Sequence, residues 1–270
     1  VYDIAISGDG SYVLAGTTSG TDTVWLFNRT SSTPLYTFGQ SILNGEFKDF
    51  ALSANNKYFA ICTYTSLYFY STSSSTPLWS DSSPDDHCRR DDYSENVVIS
   101  NDGKYVALTT GYINSPYDKR YVYAYNATTG TKILSDVVDD EGRSLDISSD
   151  GKYIVVGYYR DLRVYELSST TNTYSVKWTQ RLANYISDID ISADGKFISA
   201  IVANDDNEEG IHYFSIDSST ALWEVQPTPS SNWLTVSMSD NGRVIAGTRD
   251  YSQNTYVYSW EYASASFLKQ

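Results

Sequence analysis

Residues 148 to 167 read SSDGKYIVVGYYRDLRVYEL, and this stretch contains the unit that is repeated along the whole chain. It opens on a Ser-x-Asp-Gly turn, and two runs of β-branched and aromatic residues follow, separated by Arg160 and Asp161. Asp-Gly and Asn-Gly pairs supply the positive φ angles that tight hairpins require. The pattern therefore predicts a β-turn between a preceding strand and the first of these runs.

Copies of this turn occur six times in the 270 residues. They begin at Ser7, Ser53, Ser100, Ser148, Ser192 and Ser239, so that successive copies are 46, 47, 48, 44 and 47 residues apart. Alternating apolar residues precede each turn and predict a strand A, and a more continuous apolar run after it predicts a strand B that is covered on both faces. An aromatic run and a short run follow as strands C and D. Four antiparallel strands in about 45 residues are typical of one propeller blade.

The sequence therefore predicts an all-β fold, a six-bladed β-propeller of four-stranded antiparallel blades in a single domain, residues 1–270. The predicted blades cover residues 1–46, 47–93, 94–141, 142–185, 186–232 and 233–270. The first strand A begins near Val1, and the SFLKQ segment from residue 266 matches strand D of the sixth blade. We therefore expect the ring to close without a shared blade, and the chain can belong to a longer parent protein.

Several phrases of the repeat carry a family resemblance. The Ser-x-Asp-Gly-Lys-Tyr turn, the YIVVG and VYEL runs and the SSTPLW ending resemble the WD-repeat-like, YVTN-like and PQQ-like propeller repeats of archaeal and bacterial cell-surface proteins. The resemblance covers the whole chain and implies a propeller, with an archaeal cell surface as the expected origin. The sequence lacks the Gly-His and Trp-Asp pairs of eukaryotic WD repeats, a CxxCH haem motif and a quinone-binding signature.

The charge balance excludes two classes of partner. Asp and Glu number 33 against 19 Lys and Arg, which gives a formal net charge of −14 at pH 7. Such a surface repels nucleic acid and anionic membranes, which both require a basic footprint. No apolar run approaches the roughly 20 residues that cross a bilayer. Neither a signal peptide nor an initiator Met is present, so we expect Val1 to begin a processed or trimmed product.

Catalytic motifs are scarce in the sequence. His87 and His212 are its only histidines, which excludes His-based zinc sites and most His-dependent triads. His212 lies in the run GIHYF, where we expect a packed or hydrogen-bonded role. A Gly-x-Ser-x-Gly elbow and a phosphate-binding loop are absent. We predict that the protein is not an enzyme, and the alternative is a carboxylate-dependent glycan hydrolase or lyase.

Binding is the function that the predicted topology favours. In a propeller the B-to-C and D-to-A loops share one face, and here those loops vary most in length. Aromatic side chains in or beside them predict a binding face made of Tyr93, Tyr112, Tyr117 and Trp233. We predict a secreted, non-catalytic binding or structural module at a cell surface, whose partners are other surface proteins, copies of itself or glycans.

Two further features indicate export. Sequons occur at Asn28-Arg-Thr30 and Asn126-Ala-Thr128, both in predicted C-to-D turns, and predict glycosylation of Asn28 and Asn126. Cys62 and Cys88 are the only cysteines, and both fall near connections of the same predicted face, which favours a disulfide between them. The alternatives are a buried Cys62 beside a free Cys88, or a Cys88 that pairs with another chain.

Carboxylates recur at one depth of the predicted strand A. This position holds Asp3, Asp49, Asn96, Ser144, Asp188 and Thr235, and Asp146 and Asp190 lie one step deeper. Converging carboxylates repel unless they are protonated, hydrated or bridged by a hard cation such as Ca²⁺. We therefore predict a cation site formed by Asp3, Asp49, Asp146, Asp188 and Asp190, and the alternative is a water-filled polar channel.

Overall fold

A computed structural model of the chain describes residues 3–17, 23–43, 45–82, 97–110, 120–138, 142–203, 210–225, 233–249 and 255–259. These residues form β-strands and one short helix. The chain divides into two compact units, Val1–Glu141 and Gly142–Gln270. In the described part of the chain, no helix has the length and apolarity needed to cross a membrane.

The first unit contains three four-stranded antiparallel sheets. Sheet 1 consists of β1 (Asp3–Ile6), β2 (Tyr12–Thr17), β3 (Thr23–Asn28) and β4 (Tyr36–Gly39). A helix, α1 (Gln40–Leu43), follows it. Sheet 2 consists of β5 (Phe47–Leu52), β6 (Tyr58–Thr63), β7 (Leu67–Ser71) and β8 (Pro77–Asp81). Sheet 3 consists of β9 (Val97–Ile99), β10 (Tyr105–Thr109), β11 (Arg120–Asn126) and β12 (Thr131–Val138).

The second unit also contains three antiparallel sheets. Sheet 4 consists of β13 (Gly142–Ile147), β14 (Tyr153–Tyr158), β15 (Asp161–Leu167) and β16 (Tyr174–Arg181). Sheet 5 consists of β17 (Tyr185–Ile191), β18 (Phe197–Ala203), β19 (Gly210–Ser215) and β20 (Ala221–Val225). Sheet 6 consists, within the described residues, of β21 (Trp233–Met238), β22 (Val244–Arg249) and β23 (Thr255–Ser259).

In every sheet the strands follow one another in chain order, each paired with the next. The predicted A, B, C and D strands are therefore confirmed in sheets 1 to 5, and A, B and C in sheet 6. The four described strands of sheet 1 lie between residues 3 and 39, whereas residues 260–270, the predicted strand D of the sixth blade, lie outside the described residues, so closure without a shared blade stays a prediction. The sequence pattern did not predict α1, a single turn that buries Leu43.

The serine that begins each repeat closes the A-to-B turn from inside. In all six copies its Oγ accepts a hydrogen bond from the backbone N–H five residues later, at 2.9 to 3.1 Å. The same hydroxyl donates to the side-chain oxygen of the Asp or Asn two residues later, at 2.8 to 3.4 Å. These two bonds satisfy groups that a five-residue turn leaves unpaired, which explains the serine in every copy.

The fourth residue of each turn is left-handed, with φ between 66° and 71°, and is Gly in five copies and Asn56 in the second. Asparagine tolerates this conformation better than most residues, so the second copy, which has Asn55-Asn56 in place of Asp-Gly, keeps the same turn. The preceding Asp residues do not have positive φ. The predicted turn with positive φ is therefore confirmed, and the positive φ belongs to the second residue of the pair.

Substitutions of two glycines in these turns would distinguish the cost of backbone strain from the cost of steric overlap. Gly10 and Gly103 have φ of +70° and +71°, but a Cβ on Gly10 meets nothing within 4 Å, whereas one on Gly103 meets Tyr58 Cδ2 at 2.4 Å. We expect Gly10→Ala to lower the free energy of unfolding by about 1 kcal/mol and Gly103→Ala by about 2–4 kcal/mol. Urea unfolding of both variants measures the difference, and equal losses would contradict this account.

Successive sheets within the first unit pack face to face. Leu14, Val24, Leu26 and Phe38 of sheet 1 pack in one cluster with residues of sheet 2. The sheet 2 residues of this cluster include Phe47, Phe50, Phe59, Ile61 and Tyr70. The opposite face of sheet 2 packs on sheet 3 through a second cluster, which includes Phe69, Val97, Leu108 and Tyr125. The aromatic residues of strand C therefore fill the spaces between sheets.

The second unit uses the same arrangement. Sheets 4 and 5 share a cluster that includes Val155, Val164, Ile189, Ile198 and Phe214. Sheets 5 and 6 share another, which includes Ile201, Ile211, Tyr213, Val236 and Ile245. Each central sheet thus has two apolar faces, because it is covered on both sides. This is the reason for the continuous apolar runs of strand B.

Sheet 1 departs from that rule. Every residue of β14 is buried, as predicted for strand B, but β2 alternates between buried and half-buried residues. Ile4 and Ile6 in β1 are 58% and 60% exposed, whereas Leu145 and Ile147 at the equivalent positions of β13 are buried. One face of sheet 1 therefore exposes apolar side chains that the other sheets bury.

Candidate functional site

The predicted cation ligands of the first unit bond to the backbone. Asp49 is buried, and its Oδ1 accepts a hydrogen bond from Phe50 N at 2.8 Å. Its Oδ2 accepts one from Val97 N in sheet 3 at 2.9 Å. Asp3 Oδ1 accepts a bond from Ile4 N at 2.8 Å. Asp49 therefore joins strand A of one sheet to strand A of the next.

Asp188 performs the same task in the second unit, with an additional partner. Its Oδ2 accepts a bond from Val236 N in sheet 6 at 2.7 Å, and its Oδ1 accepts one from Ile189 N at 2.9 Å. The Ser144 hydroxyl of sheet 4 donates to the same Oδ1 at 3.1 Å and accepts a bond from Ile189 N at 3.0 Å. Burial raises the pKa of Asp188 to about 6, against the opposing effect of these donors.

Asp146 and Asp190 form a second row of bonds between the same sheets. Asp146 Oδ2 accepts a bond from Ile191 N in sheet 5 at 2.8 Å, and Asp190 Oδ2 accepts one from Met238 N in sheet 6 at 2.7 Å. The Asp190 carboxylate lies beside Asp146. Burial, and next the negative charge of Asp190, raise the pKa of Asp146 well above its ordinary value.

The structure shows where most of the predicted cation ligands lie and which of them come together. The structure brings Asp188 to Ser144 and Asp146 to Asp190, and it places Asp3 and Asp49 in the first unit. Asn96 lies outside the described residues. Among the described residues, no three His, Cys, Asp or Glu side chains lie close enough together to hold a metal ion. A cation site at strand A stays a prediction, and the contacts that the structure does show are hydrogen bonds to backbone N–H groups.

Tryptophans of strand D form a second link between sheets. Trp79 Nε1 in β8 donates to the carbonyl oxygen of Ala127 in the next sheet at 2.7 Å, and its ring stacks on Tyr125 at 5.5 Å. Trp178 Nε1 in β16 donates to the Ile216 oxygen at 2.8 Å. Both acceptors are the residue that directly follows strand C. The sequence repeats this aromatic position, but its role in joining sheets becomes clear only from the structure.

A half-open cleft of ≈340 Å³ lies between the A-to-B turns of sheets 5 and 6. It is lined by Asp194, Lys196, Phe197, Asn241 and Arg243. The two turns are joined by a backbone bond from Asp194 N to the Asp240 oxygen at 3.3 Å. Lys196 Nζ pairs with Asp194 Oδ2 at 2.9 Å. The repeat pattern did not predict this cleft, although the change from Lys to Arg in the sixth copy is visible in the sequence.

His212 lies in β19, directly across from Glu224 in β20. Its Nδ1 is 3.2 Å from Glu224 Oε1, and its side chain is 13% exposed. Burial lowers the pKa of His212, although the Glu224 carboxylate opposes this shift. The ring also stacks on Phe214 at 6.4 Å. This is the packed environment expected from the sequence.

Both sequon asparagines end a strand C. Asn28 is the last residue of β3, and its Oδ1 accepts bonds from Thr30 N at 3.0 Å and Thr30 Oγ1 at 2.7 Å. Asn126 is the last residue of β11, and its Oδ1 accepts bonds from Thr128 N at 3.0 Å and Thr129 N at 3.2 Å. The two sites are therefore equivalent in their sheets, as predicted, and their glycosylation stays a prediction.

The remaining predicted residues lie mostly outside the described part of the chain. This applies to His87, Cys88, Tyr93, Tyr112 and Tyr117, and to the side chain of Trp233, which begins β21. Cys62 is buried in β6, and no free cysteine occurs among the described residues. The binding face and the disulfide to Cys88 therefore stay predictions.

Comparison with known proteins adds evidence on the fold. No protein-family model and no curated protein match the chain. A solved structure does: the β-propeller domain of Cps50 (Swd1) from Myceliophteria thermophila aligns with a TM-score of 0.66 over 99% of this chain and 85% of that chain. The fold is that of a β-propeller. At 11% identity the likeness shows the fold alone, so the predicted propeller repeats are confirmed, and the archaeal and PQQ-like details stay predictions.

Proposed function

We propose that the protein is a non-catalytic interaction module. The propeller fold favours protein interaction in general, because its rigid sheets present many loops and turns. The observation that carries the proposal is the use of the strand A carboxylates. Asp49, Asp188 and Asp146 accept backbone bonds from the next sheet, so these groups join the sheets of the scaffold.

We also propose that this module is secreted and acts at a cell surface. Its acidic composition and the equivalent positions of Asn28 and Asn126 support this assignment. The partners would be other surface proteins, copies of the same chain or glycans. A closed six-bladed ring without a shared blade is part of the proposal.

Three measurements on one purified sample test this function. We expect light scattering to show self-association or a glycan array to show saturable binding, and a sugar-release assay with the same glycans to show no product. A strict monomer without any glycan or protein partner would contradict the proposal. Sugar release that is lost in Asp146→Asn, with the folded state kept, would favour the carboxylate-dependent hydrolase or lyase.

The proposed disulfide gives a prediction of its own. Cys62 and Cys88 are separated by 26 residues (88 − 62), so a bridge would stabilise the fold by about 3 kcal/mol. We expect both thiols of protein from its native source to react with an alkylating reagent only after reduction. Cys88→Ser should lower the free energy of unfolding by the same amount, and intact-mass measurement and urea unfolding check both. Two reactive thiols without reductant would overturn the bridge and the export with it.

The cation site remains part of the proposal as a bound Ca²⁺. Carboxylate oxygens are the ligands that Ca²⁺ prefers, and a bound ion raises the melting temperature because it binds the folded state alone. Calorimetric titration at neutral pH measures the heat of binding. An absence of heat together with an unchanged melting temperature would contradict the cation site and favour the alternative, a water-filled polar channel.

A further inference from the structure

We propose that the cleft between the A-to-B turns of sheets 5 and 6 binds a carboxylate side chain of a protein partner, and that Arg243 holds it. The inference rests on the proposed function and gives the interaction module a specific site. The evidence for it is the set of residues that line the cleft, together with a sequence difference between the sixth repeat and the others.

This sequence difference concerns the ion pair inside the turn. In the third and fifth copies, a lysine pairs with the aspartate two residues before it, Lys104 with Asp102 at 2.7 Å and Lys196 with Asp194 at 2.9 Å. The sixth copy has Asn241 in place of that aspartate, and Arg243 in place of the lysine. The cation is therefore retained while its internal carboxylate is lost.

Asn241 preserves the turn without neutralising the cation. Its Oδ1 accepts bonds from the Ser239 hydroxyl at 3.0 Å and from the backbone N–H of Arg243 at 3.1 Å, as the aspartates do in other copies. No Asp or Glu oxygen of the described residues lies within salt-bridge distance of the exposed Arg243 guanidinium. Within the described part of the chain, the sixth turn therefore presents an arginine without an internal carboxylate partner.

The charge of the cleft matches a single carboxylate. Lys196 and Asp194 neutralise each other across one wall, so Arg243 leaves a net charge of about +1 in a chain whose formal charge is −14. A guanidinium binds carboxylates through two parallel hydrogen bonds. Phosphorylated ligands are usually held by clusters of arginines, and this cleft has one. A singly charged carboxylate is therefore the better fit.

Phe197 gives the cleft a small apolar edge, since only 7% of this residue is exposed. Phe197 forms part of the lining, and its ring is held in place by stacking on Tyr213 at 5.3 Å. The Tyr213 hydroxyl in turn donates to the Gly242 oxygen at 2.8 Å, so the sixth turn and the ring are fixed together. A volume of ≈340 Å³ accommodates an Asp or Glu side chain and part of the residue beside it.

The second repeat provides a matched control. Lys57 follows Asn55 as Arg243 follows Asn241, and Lys57 is also exposed. Asn55 Nδ2, however, donates to the backbone carbonyl oxygen of Asp102 in the next turn at 2.6 Å. Neither Asn55 nor Lys57 lines the cleft. Lys57→Met therefore removes a comparable cation from a turn that does not line this cleft.

Amide and arginine side-chain NMR spectra of the whole chain test the site with two probes, acetyl-Phe-Glu-amide and acetyl-Phe-Gln-amide. We expect saturable shifts of the Arg243 Nε–H and the Gly242 and Phe197 amides with the Glu probe, and none with the Gln probe. Arg243→Met should weaken binding by about tenfold or more. Asn241→Asp should have the same effect because it supplies an internal partner for Arg243, and Lys57→Met should change nothing.

Several outcomes would overturn the assignment. The site falls if the Glu probe gives no saturable shift up to about 20 mM, which covers the millimolar affinity expected of one ion pair. It also falls if Arg243→Met binds like the native chain, or if glucuronate binds while the Glu probe does not, which would indicate an acidic sugar. If one of these results occurs while the native chain still self-associates or binds a glycan, the interaction module stands and this site alone is wrong.

Discussion

Trp79→Ala is expected to lower the free energy of unfolding by about 3–5 kcal/mol, the usual cost of deleting a large aromatic side chain from a packed position. The Trp79 ring stacks on Phe69 of its own sheet at 5.2 Å and on Tyr125 of the next at 5.5 Å. Its Nε1 also donates to Ala127 O at 2.7 Å. The substitution therefore removes both the packing and the hydrogen bond between sheets 2 and 3.

Two control variants divide this loss into its parts. Trp79→Phe keeps a ring and loses the Nε1 donor, so it should cost about 1–2 kcal/mol. Trp25 in β3 is half-buried, as Trp79 is, but lies in the sheet that exposes Ile4 and Ile6, so Trp25→Ala should cost less than Trp79→Ala. Urea unfolding followed by circular dichroism measures all three. A loss for Trp79→Ala no larger than that for Trp25→Ala would show that this link contributes little.

Lowering the pH from neutral is expected to stabilise the protein, and Asp188 should account for about 2 kcal/mol of the gain. The pKa of Asp188 is raised from its ordinary 3.8 to about 6, chiefly by burial. A carboxyl group with a raised pKa holds its proton more tightly in the folded state. Its contribution is therefore complete below pH 3.8, declines as the pH rises towards about 6, and is absent above that value.

Other carboxylates of the turns act in the opposite direction at lower pH. Hydrogen bonds from Ser11 lower the pKa of Asp9, and bonds from the lysine two residues later lower those of Asp102 and Asp194 against the effect of burial. Their contributions are present at neutral pH and are lost as the pH falls through those lowered values. We therefore expect maximal stability in mild acid, between these two sets of titrations.

Asp188→Asn isolates the effect, because the amide does not titrate. In the native chain, we expect the free energy of unfolding from urea titrations to be higher at ~pH 4.5 than at ~pH 8. In Asp188→Asn this difference should be smaller by about 2 kcal/mol. Asp217→Asn, which removes an aspartate whose side chain is 77% exposed and pairs with Lys177 at 3.2 Å, is the control for the loss of a carboxyl group in the same unit. An unaltered pH dependence in Asp188→Asn would show that Asp188 titrates as an ordinary surface carboxyl.

The repeat by itself determined the strand order and the turns. Six Ser-led turns at nearly constant spacing predict four-stranded antiparallel units, because alternation, turn residues and aromatic runs are local properties of the chain. The structure has strands at the predicted positions. The sequon residues Asn28 and Asn126 lie, as expected, at the ends of β3 and β11. The short helix α1 was missed, since four residues carry no helical period.

What the side chains of those strands do was decided only by packing between sheets. Asp49 and Val97 are 48 residues apart, as are Asp188 and Val236, so the bonds that join each pair form only after successive sheets stack. From the sequence alone, a recurring strand A aspartate is consistent with a cation ligand, a channel lining or a link between sheets. Likewise, the position of Arg243 beside Phe197 could not be predicted from the sequence, because a cleft between two turns exists only in the folded chain.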